Sequence, residues 1–335
     1  MEITWIWSLE RGNNMDTDVG AFLNERLLND REGIRSAEEL WEFLVNYRDH
    51  EKFRMPKGGL YYRGQPNSMH GLNSTLYRLT AGRRSYSKTP SAFKHDAEAA
   101  MRDAEDKVLA MARKNGLGMG LTDLELLGLL QHHGMPTRLI DVSRSPLAAL
   151  YFAVEKEDDK DGRLFILTAK ETLKHGNPTH PHESAASRLT ALPWASPRKK
   201  TSNWRQTVYE ATMSPLDARM IAQQASFLVG GIYTSGGKLQ QYFYGSSKRP
   251  IMINIDSLRE ISTLIICFQK KDYAPRKETS WGAYGWSFLI PSDWKPFLRQ
   301  RLSELNPPIE RDSMYPPISE VKRLISHVAA EALNG

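Results

Sequence analysis

Between Leu121 and Thr168 the sequence marks the start or end of almost every element it contains, and this punctuation limits the possible folds more than any other feature. Thr122 and Glu125 have capping-box spacing at the head of LTDLELLGLLQHHG, and Gly134 fits the left-handed position just past that helix. Thr137–Val142, TRLIDV, reads as a strand or extended turn. Ser145 caps a second helix, Pro146 takes its first position, and LAALYFAV forms its body. A charged turn over Glu155–Gly162 then leads into RLFILT, Arg163–Thr168, a buried strand. Helix, strand, helix and strand in that order predict a mixed fold.

The flanking regions are read in the same way. The first thirty residues form an arm or short helix. Ser36 and Glu39 open a helix whose buried face is Leu40, Phe43, Leu44 and Tyr47. GGLYYRGQ, Gly58–Gln65, is a strand, followed by a polar loop from Pro66 to Pro90. A long helix runs from about Ala92 to Lys114 and stops at Gly116. Residues 170–203, rich in Pro, Ser and His, form a loop insertion. ASFLVGGIYT, IMINI and TLIICFQ are strand-like, Ser292 caps a helix near Asp293, and Val321, Leu324, Ile325, Val328 and Ala332 face one side of a last helix.

Composition rules out several classes. A chain that is 40% hydrophobic and 25% charged folds rather than staying disordered. No apolar run is long enough for a transmembrane helix, and MEITWIWSLERGNN lacks the basic start of a signal peptide, so a cytoplasmic location with no membrane partner is expected. The single cysteine, Cys267, reads as a buried core thiol and allows no disulfide framework. NGLGMG at Asn115–Gly120 lies between helices and is a turn, not a dinucleotide fingerprint. There is no P-loop, HExxH or GxSxG; His175, His180 and His182 lack a rigid element and are not read as a metal site.

LYYRGQ at Leu60–Gln65 and QHHGMPTRLIDVSRSPLAALYFA at Gln131–Ala153 resemble the FRG-domain family. The first carries the aromatic-Arg-Gly signature, Tyr62-Arg63-Gly64. The second carries Gln131, His132, Gly134, Pro136, Thr137, Arg138, Leu139 and Asp141, then Ala149, Leu150, Phe152 and Ala153. A weaker third match is Arg219-Met220 with Gln223-Gln224 and Phe227, where Ala225 replaces the usual Gly. The resemblance implies bacterial prophage or anti-phage contexts but no stated reaction. A looser likeness is to ADP-ribosyltransferases, which place an Arg on a first core strand, a Ser/Thr strand leading into a helix, and a Glu or Gln near a later strand. It implies an α+β, ADP-ribosyltransferase-like core of mostly antiparallel strands with flanking helices. The core spans 58–270, between an N-terminal helical segment at 1–57 and a C-terminal helical segment at 271–335.

That likeness implies NAD as co-substrate. Arg63 and Arg138 suit its pyrophosphate, since a guanidinium grips phosphate through a planar fork. Gly64 permits close backbone approach, and Tyr62 or Phe152 can stack on a flat ring. Asp141, Gln223 or Gln224 can orient the ribose and stabilise oxocarbenium charge, while His132 and Thr137 are further catalytic candidates. Plainer roles stand beside these: Arg63 and Asp141 as an ion pair joining two segments, His132 and His133 as helix C-terminal cations, Thr137 as a turn bond, and Leu150 and Phe152 as core. Arg78, Arg83 and Arg84, with Tyr77 and Tyr86, and Lys199 and Lys200, with Trp194 and Trp204, are basic, aromatic-interleaved segments. With a net charge of +6 they favour a nucleic-acid acceptor, RNA ahead of DNA. The expectation is an NAD-dependent ADP-ribosyltransferase, a toxin or anti-phage effector with a neutralising antitoxin. The rivals are an NAD glycohydrolase, a nuclease using His132 or His133 with Arg63 and Arg138, and a non-enzymatic nucleotide-sensing module.

Overall fold

A computed structural model describes residues 34–46, 59–82, 97–169, 171–174, 208–213, 218–232, 259, 261–268 and 283–316. The readings of the first thirty residues, Tyr47, the histidine-rich loop, IMINI and the last helix lie outside these, as does the side chain of Cys267. The strands are β1 (Leu60–Gln65), β2 (Ile140–Ser143), β3 (Gly162–Ala169), β4 (Glu171–Lys174), β5 (Val208–Thr212), β6 (Ala225–Gly230), β7 (Ile266–Phe268) and β8 (Ala283–Ile290). The helices are α1 (Ala37–Asn46), α2 (Thr75–Gly82), α3 (Ala97–Lys114), α4 (Asp123–His132), α5 (Pro146–Val154), α6 (Ala218–Ala222), α7 (Lys295–Ser303) and α8 (Arg311–Met314). All eight strands form one sheet in the order β4-β5-β6-β2-β1-β3-β8-β7. Only β4–β5 and β7–β8 at its two ends are parallel, so the architecture is α+β with a mostly antiparallel sheet.

The punctuation read from the sequence operates as expected at several element ends. The Thr122 side chain accepts from the Glu125 backbone, and Glu125 returns the bond to the Thr122 N–H at 2.9 Å. Gly134 has φ 84. Ser145 Oγ accepts from the Ala148 N–H at 3.2 Å, with Pro146 following the cap. At α1 the Ser36 hydroxyl accepts from the Glu39 N–H, but the return bond goes to the Arg35 N–H. Ser292, read as a helix cap, makes no capping bond: it opens a short 3-10 turn, Ser292–Trp294, and α7 follows from Lys295. Two further elements depart from expectation. The stretch read as a loop after Pro66 contains α2, started by Ser74, whose hydroxyl accepts from the Tyr77 N–H at 3.2 Å. The segment 271–335, read as helical, contains β8, which pairs with β3 from Gly162↔Ile290 to Ala169↔Ala283. The sheet therefore runs across the boundary expected at 270, and the C-terminal residues share its core.

Both faces of the sheet are covered. On one face Tyr62, Leu164, Ile166, Trp286 and Phe288 pack under α5, α1 and α7. Further along, Phe227 and Val229 pack under α4 and α3. On the other face Tyr61, Ile140, Val142, Phe165, Leu167 and Leu228 pack with Leu72 and residues 261–266. Helix α5 sits directly on β1: a Cβ at Gly64 would lie 1.8 Å from the Ala149 carbonyl oxygen and 2.6 Å from the Ala153 nitrogen. The same helix presses on Gly162 of β3, where a Cβ would lie 2.5 Å from the Ala153 carbonyl oxygen.

Candidate functional site

The sheet is incompletely joined at its centre. β1 pairs with β3 at every residue from Leu60 to Gln65, but with β2 only at Tyr62↔Ser143. Beyond that pair the two strands part, and the Arg63 guanidinium spans the notch. Its Nη1 donates to the Asp141 carbonyl at 2.6 Å and lies 3.7 Å from the Asp141 carboxylate. A ladder bond is thus replaced by a charged side chain.

Asp141 is held from its other side. Gln131, at the end of α4, donates from Nε2 to Asp141 Oδ2 at 2.7 Å, and its own Oε1 accepts from Thr137 Oγ1 at 2.8 Å. The Thr137 hydroxyl in turn accepts from the Leu139 N–H at 3.1 Å. Thr137 is fully buried, yet the Asp141 side chain remains 51% exposed. The result is a carboxylate that is fixed in place and open to solvent.

Two further groups face the notch. Arg78 of α2 is held by the Asn73 carbonyl at 2.7 Å and the Thr75 hydroxyl at 3.1 Å, close enough for the Asp141 charge to act on it. Burial lowers the pKa of Arg63 from its ordinary value; Asp141 opposes the shift and Arg78 adds to it. His70 is also lowered, by burial first, with Glu157 opposing and Arg78, Lys160 and Arg63 adding. Counting the charges that act on these groups, Arg63, Arg78 and Lys160 outnumber Asp141 and Glu157, so the notch is net positive. Among the described residues the buried Arg63 Nε has no hydrogen-bond acceptor.

Residues 58–162 match the family model of the FRG domain. The chain carries an FRG domain. No curated protein and no solved structure matches the chain. The FRG match takes in β1, α2, α3, α4, β2 and α5, and Arg63, His70, Arg78, Gln131, Thr137 and Asp141 all fall inside it. The strands that complete the sheet lie beyond it.

The structure reassigns several residues that the sequence put forward for ligand binding. What approaches Gly64 is the backbone of α5, so the glycine of the FRG signature serves helix–strand contact. Tyr62 is 1% exposed and buried under α5, which leaves no ring face for stacking. Phe152 packs edge-on against Tyr151 and Tyr315, at 5.6 and 6.3 Å between centroids. Arg138 is 3% exposed, its guanidinium bonded to Glu105 at 2.7 Å and to Glu98, both on α3. It ties α3 to the segment before β2.

Gln223 is also structural: its amide donates to the Met314 carbonyl at 2.9 Å, and its own carbonyl accepts from the Ser143 hydroxyl. Gln224 is exposed, with φ 45, beside the Ser143 end of β2 and apart from Asp141. His132 is half-buried at the end of α4, its ring edge-on to exposed His133 at 6.0 Å. Arg83, Arg84, Lys199 and Lys200 lie outside the described residues, whereas Arg78, read from sequence as an acceptor contact, faces the notch. Sequence reasoning missed His70 and the supporting role of Gln131. Gln131 was signalled by its place in the family run, while His70 stands in a polar loop with no periodicity.

Proposed function

We propose that the notch between β1 and β2 binds NAD and that the protein transfers the ADP-ribosyl group to nucleic acid. The observation that carries this reading is Arg63 bonded at Asp141, whose carboxylate is fixed and open to solvent, with Arg78 close enough to feel its charge. A net-positive notch suits a pyrophosphate, and the Arg63 Nε, without an acceptor among the described residues, fits a phosphate oxygen. A positioned carboxylate suits the positive charge that grows on ribose as its glycosidic bond breaks. In that step the bond between ribose C1′ and the nicotinamide nitrogen breaks, and its electron pair leaves with nicotinamide. The nucleophile of the acceptor bonds to C1′ and gives up its proton, which the exposed Asp141 carboxylate is placed to accept.

The order of elements supports the reading as well. Arg63 lies on β1, β2 leads through Ser143 into α5, and Gln224 precedes β6, with β6, β2 and β1 adjacent in the sheet. This agrees with the order that the likeness to ADP-ribosyltransferases implies. Nucleic acid is favoured as acceptor by the net charge of +6. A cytoplasmic toxin or anti-phage role with a neutralising partner would follow from such an activity.

The test is incubation of radiolabelled NAD with RNA, DNA and protein, using the wild type, Arg63→Ala, Arg63→Lys and Asp141→Asn. Label on nucleic acid should appear with the wild type and fall by roughly 100-fold or more in Arg63→Ala and Asp141→Asn. Arg63→Lys keeps the charge but loses the planar fork, so an intermediate loss is expected. Free nicotinamide without label would replace transfer by hydrolysis. The absence of both products would overturn the reading.

A further inference from the structure

A second polar cluster, on the sheet face that Tyr61 shares with Arg63 by strand alternation, is built around Glu210 of β5. Glu210 is 3% exposed. Its carboxylate accepts from the Ser226 hydroxyl at 2.9 Å and from Arg144 Nη2, and its charge acts on the Tyr61 hydroxyl. The Arg144 guanidinium lies over the Tyr61 ring, 4.6 Å from its centroid, while 44% of the Arg144 side chain stays exposed. Arg144, Glu210, Ala211, Met213, Ala225 and Ser226 line an open groove. The Arg144 backbone is pinned by the Gln224 carbonyl at 2.9 Å.

A pair that only joined strands would fill the space between them; this one borders a groove. The guanidinium rests against Tyr61 while 44% of the Arg144 side chain is exposed, so part of it is open to a ligand. Such a plane is a stacking platform for an unpaired base. A carboxylate offers about four acceptor positions, and Ser226 and Arg144 occupy two of them, which leaves room for an incoming N–H. Met213 and Ala225 supply apolar edges. A cationic protein side chain would meet the like charge of Arg144 here, whereas a flat neutral base would not.

We propose that this groove is a nucleobase subsite, in which the ring stacks on the Arg144–Tyr61 layer and an exocyclic amino group donates to Glu210. The ligand is single-stranded nucleic acid with amino-bearing bases. The proposal rests on the nucleic-acid part of the proposed function and needs no NAD.

The experiment measures binding of fluorescently labelled oligocytidine and oligouridine of equal length to the full chain without NAD. The two carry the same charge, but cytosine presents an amino group where uracil has a carbonyl. Oligocytidine should bind roughly tenfold or more tightly, and Glu210→Gln should erase the difference. Arg144→Lys keeps a charge opposite Glu210 and removes the plane, so it should weaken both oligonucleotides, and it tests stacking if Glu210→Gln does not fold. Equal wild-type binding, or a preference that survives Glu210→Gln, overturns the subsite. A cytidine preference without labelling from NAD overturns transfer and keeps the subsite; labelling without the preference does the reverse.

Discussion

Arg63 and Arg138 look alike as motif residues, and their surroundings separate them. Arg138 is buried with Glu98 and Glu105, so it stands between two carboxylates that have no water to turn to. Burial raises the pKa of Glu105, and the Arg138 charge opposes that rise. Arg138→Met strands both acids and should cost about 3–5 kcal/mol, read from urea unfolding. Nothing in the linear run Pro136-Thr137-Arg138 reports that α3 lies over it, because Glu98 is forty residues away. The identity of the motif was legible; the neighbour that decides its role was not. His70 allows a test by pH. Its folded pKa lies below the ordinary 6.5, so the native state binds fewer protons than the unfolded chain in that window. Stability should rise with pH up to about 6.5 and be lost as pH falls below it. His70→Gln should flatten that acid-side loss in thermal melts taken between roughly pH 5 and 7.

At the scale of elements, the helix caps were legible because each is a local bond between residues three apart, as at Ser145 and Ala148. Ser145→Ala should cost about 1 kcal/mol, seen as a lower urea midpoint with an unchanged slope. The contact between α5 and β1 was not legible in this way. Gly64, Ala149 and Ala153 were all recognised as family positions, but only the fold shows that they meet one another. Gly64→Ala puts a methyl group against the Ala149 carbonyl, a backbone atom that cannot swing aside. Helix α5 must then lift from β1, and a loss of about 1–3 kcal/mol or more is expected from this overpacking, again by urea unfolding. Strand β8 escaped because Ala283–Ile290 is separated by more than a hundred residues from the β3 residues it pairs with, as Arg163 and Ser287 illustrate. Arg144 and Glu210 escaped for the same reason, being 66 residues apart.

For the whole molecule, the question is what holds the C-terminal elements to the FRG domain. Lys295, at the start of α7, is fully buried, and its ammonium donates to the carbonyls of Pro66, Lys156 and Glu157 at 2.7, 3.0 and 2.8 Å. An ammonium has three protons, and all three are used. One of these carbonyls follows β1 and two follow α5, so a single side chain joins the end of the first strand, the end of the helix on its back and the C-terminal region. Arg299, one turn later, donates to the Val154 carbonyl at 2.6 Å and grips Asp158 through both nitrogens. Both cations meet carbonyls at and beyond the C-terminus of α5, where positive charge is favoured. Lys295→Met preserves much of the volume but removes every donor, and a loss on the order of 3 kcal/mol is expected from the charged hydrogen bonds alone. The chain from Pro66 leads directly to His70 and then α2, which carries Arg78, so loosening should reach the notch. Hydrogen exchange should therefore speed up at residues 66–78 in Lys295→Met, ahead of β5 and β6. Uniform acceleration across the sheet would instead mean that Lys295 stabilises the fold as a whole and does not specifically position the notch.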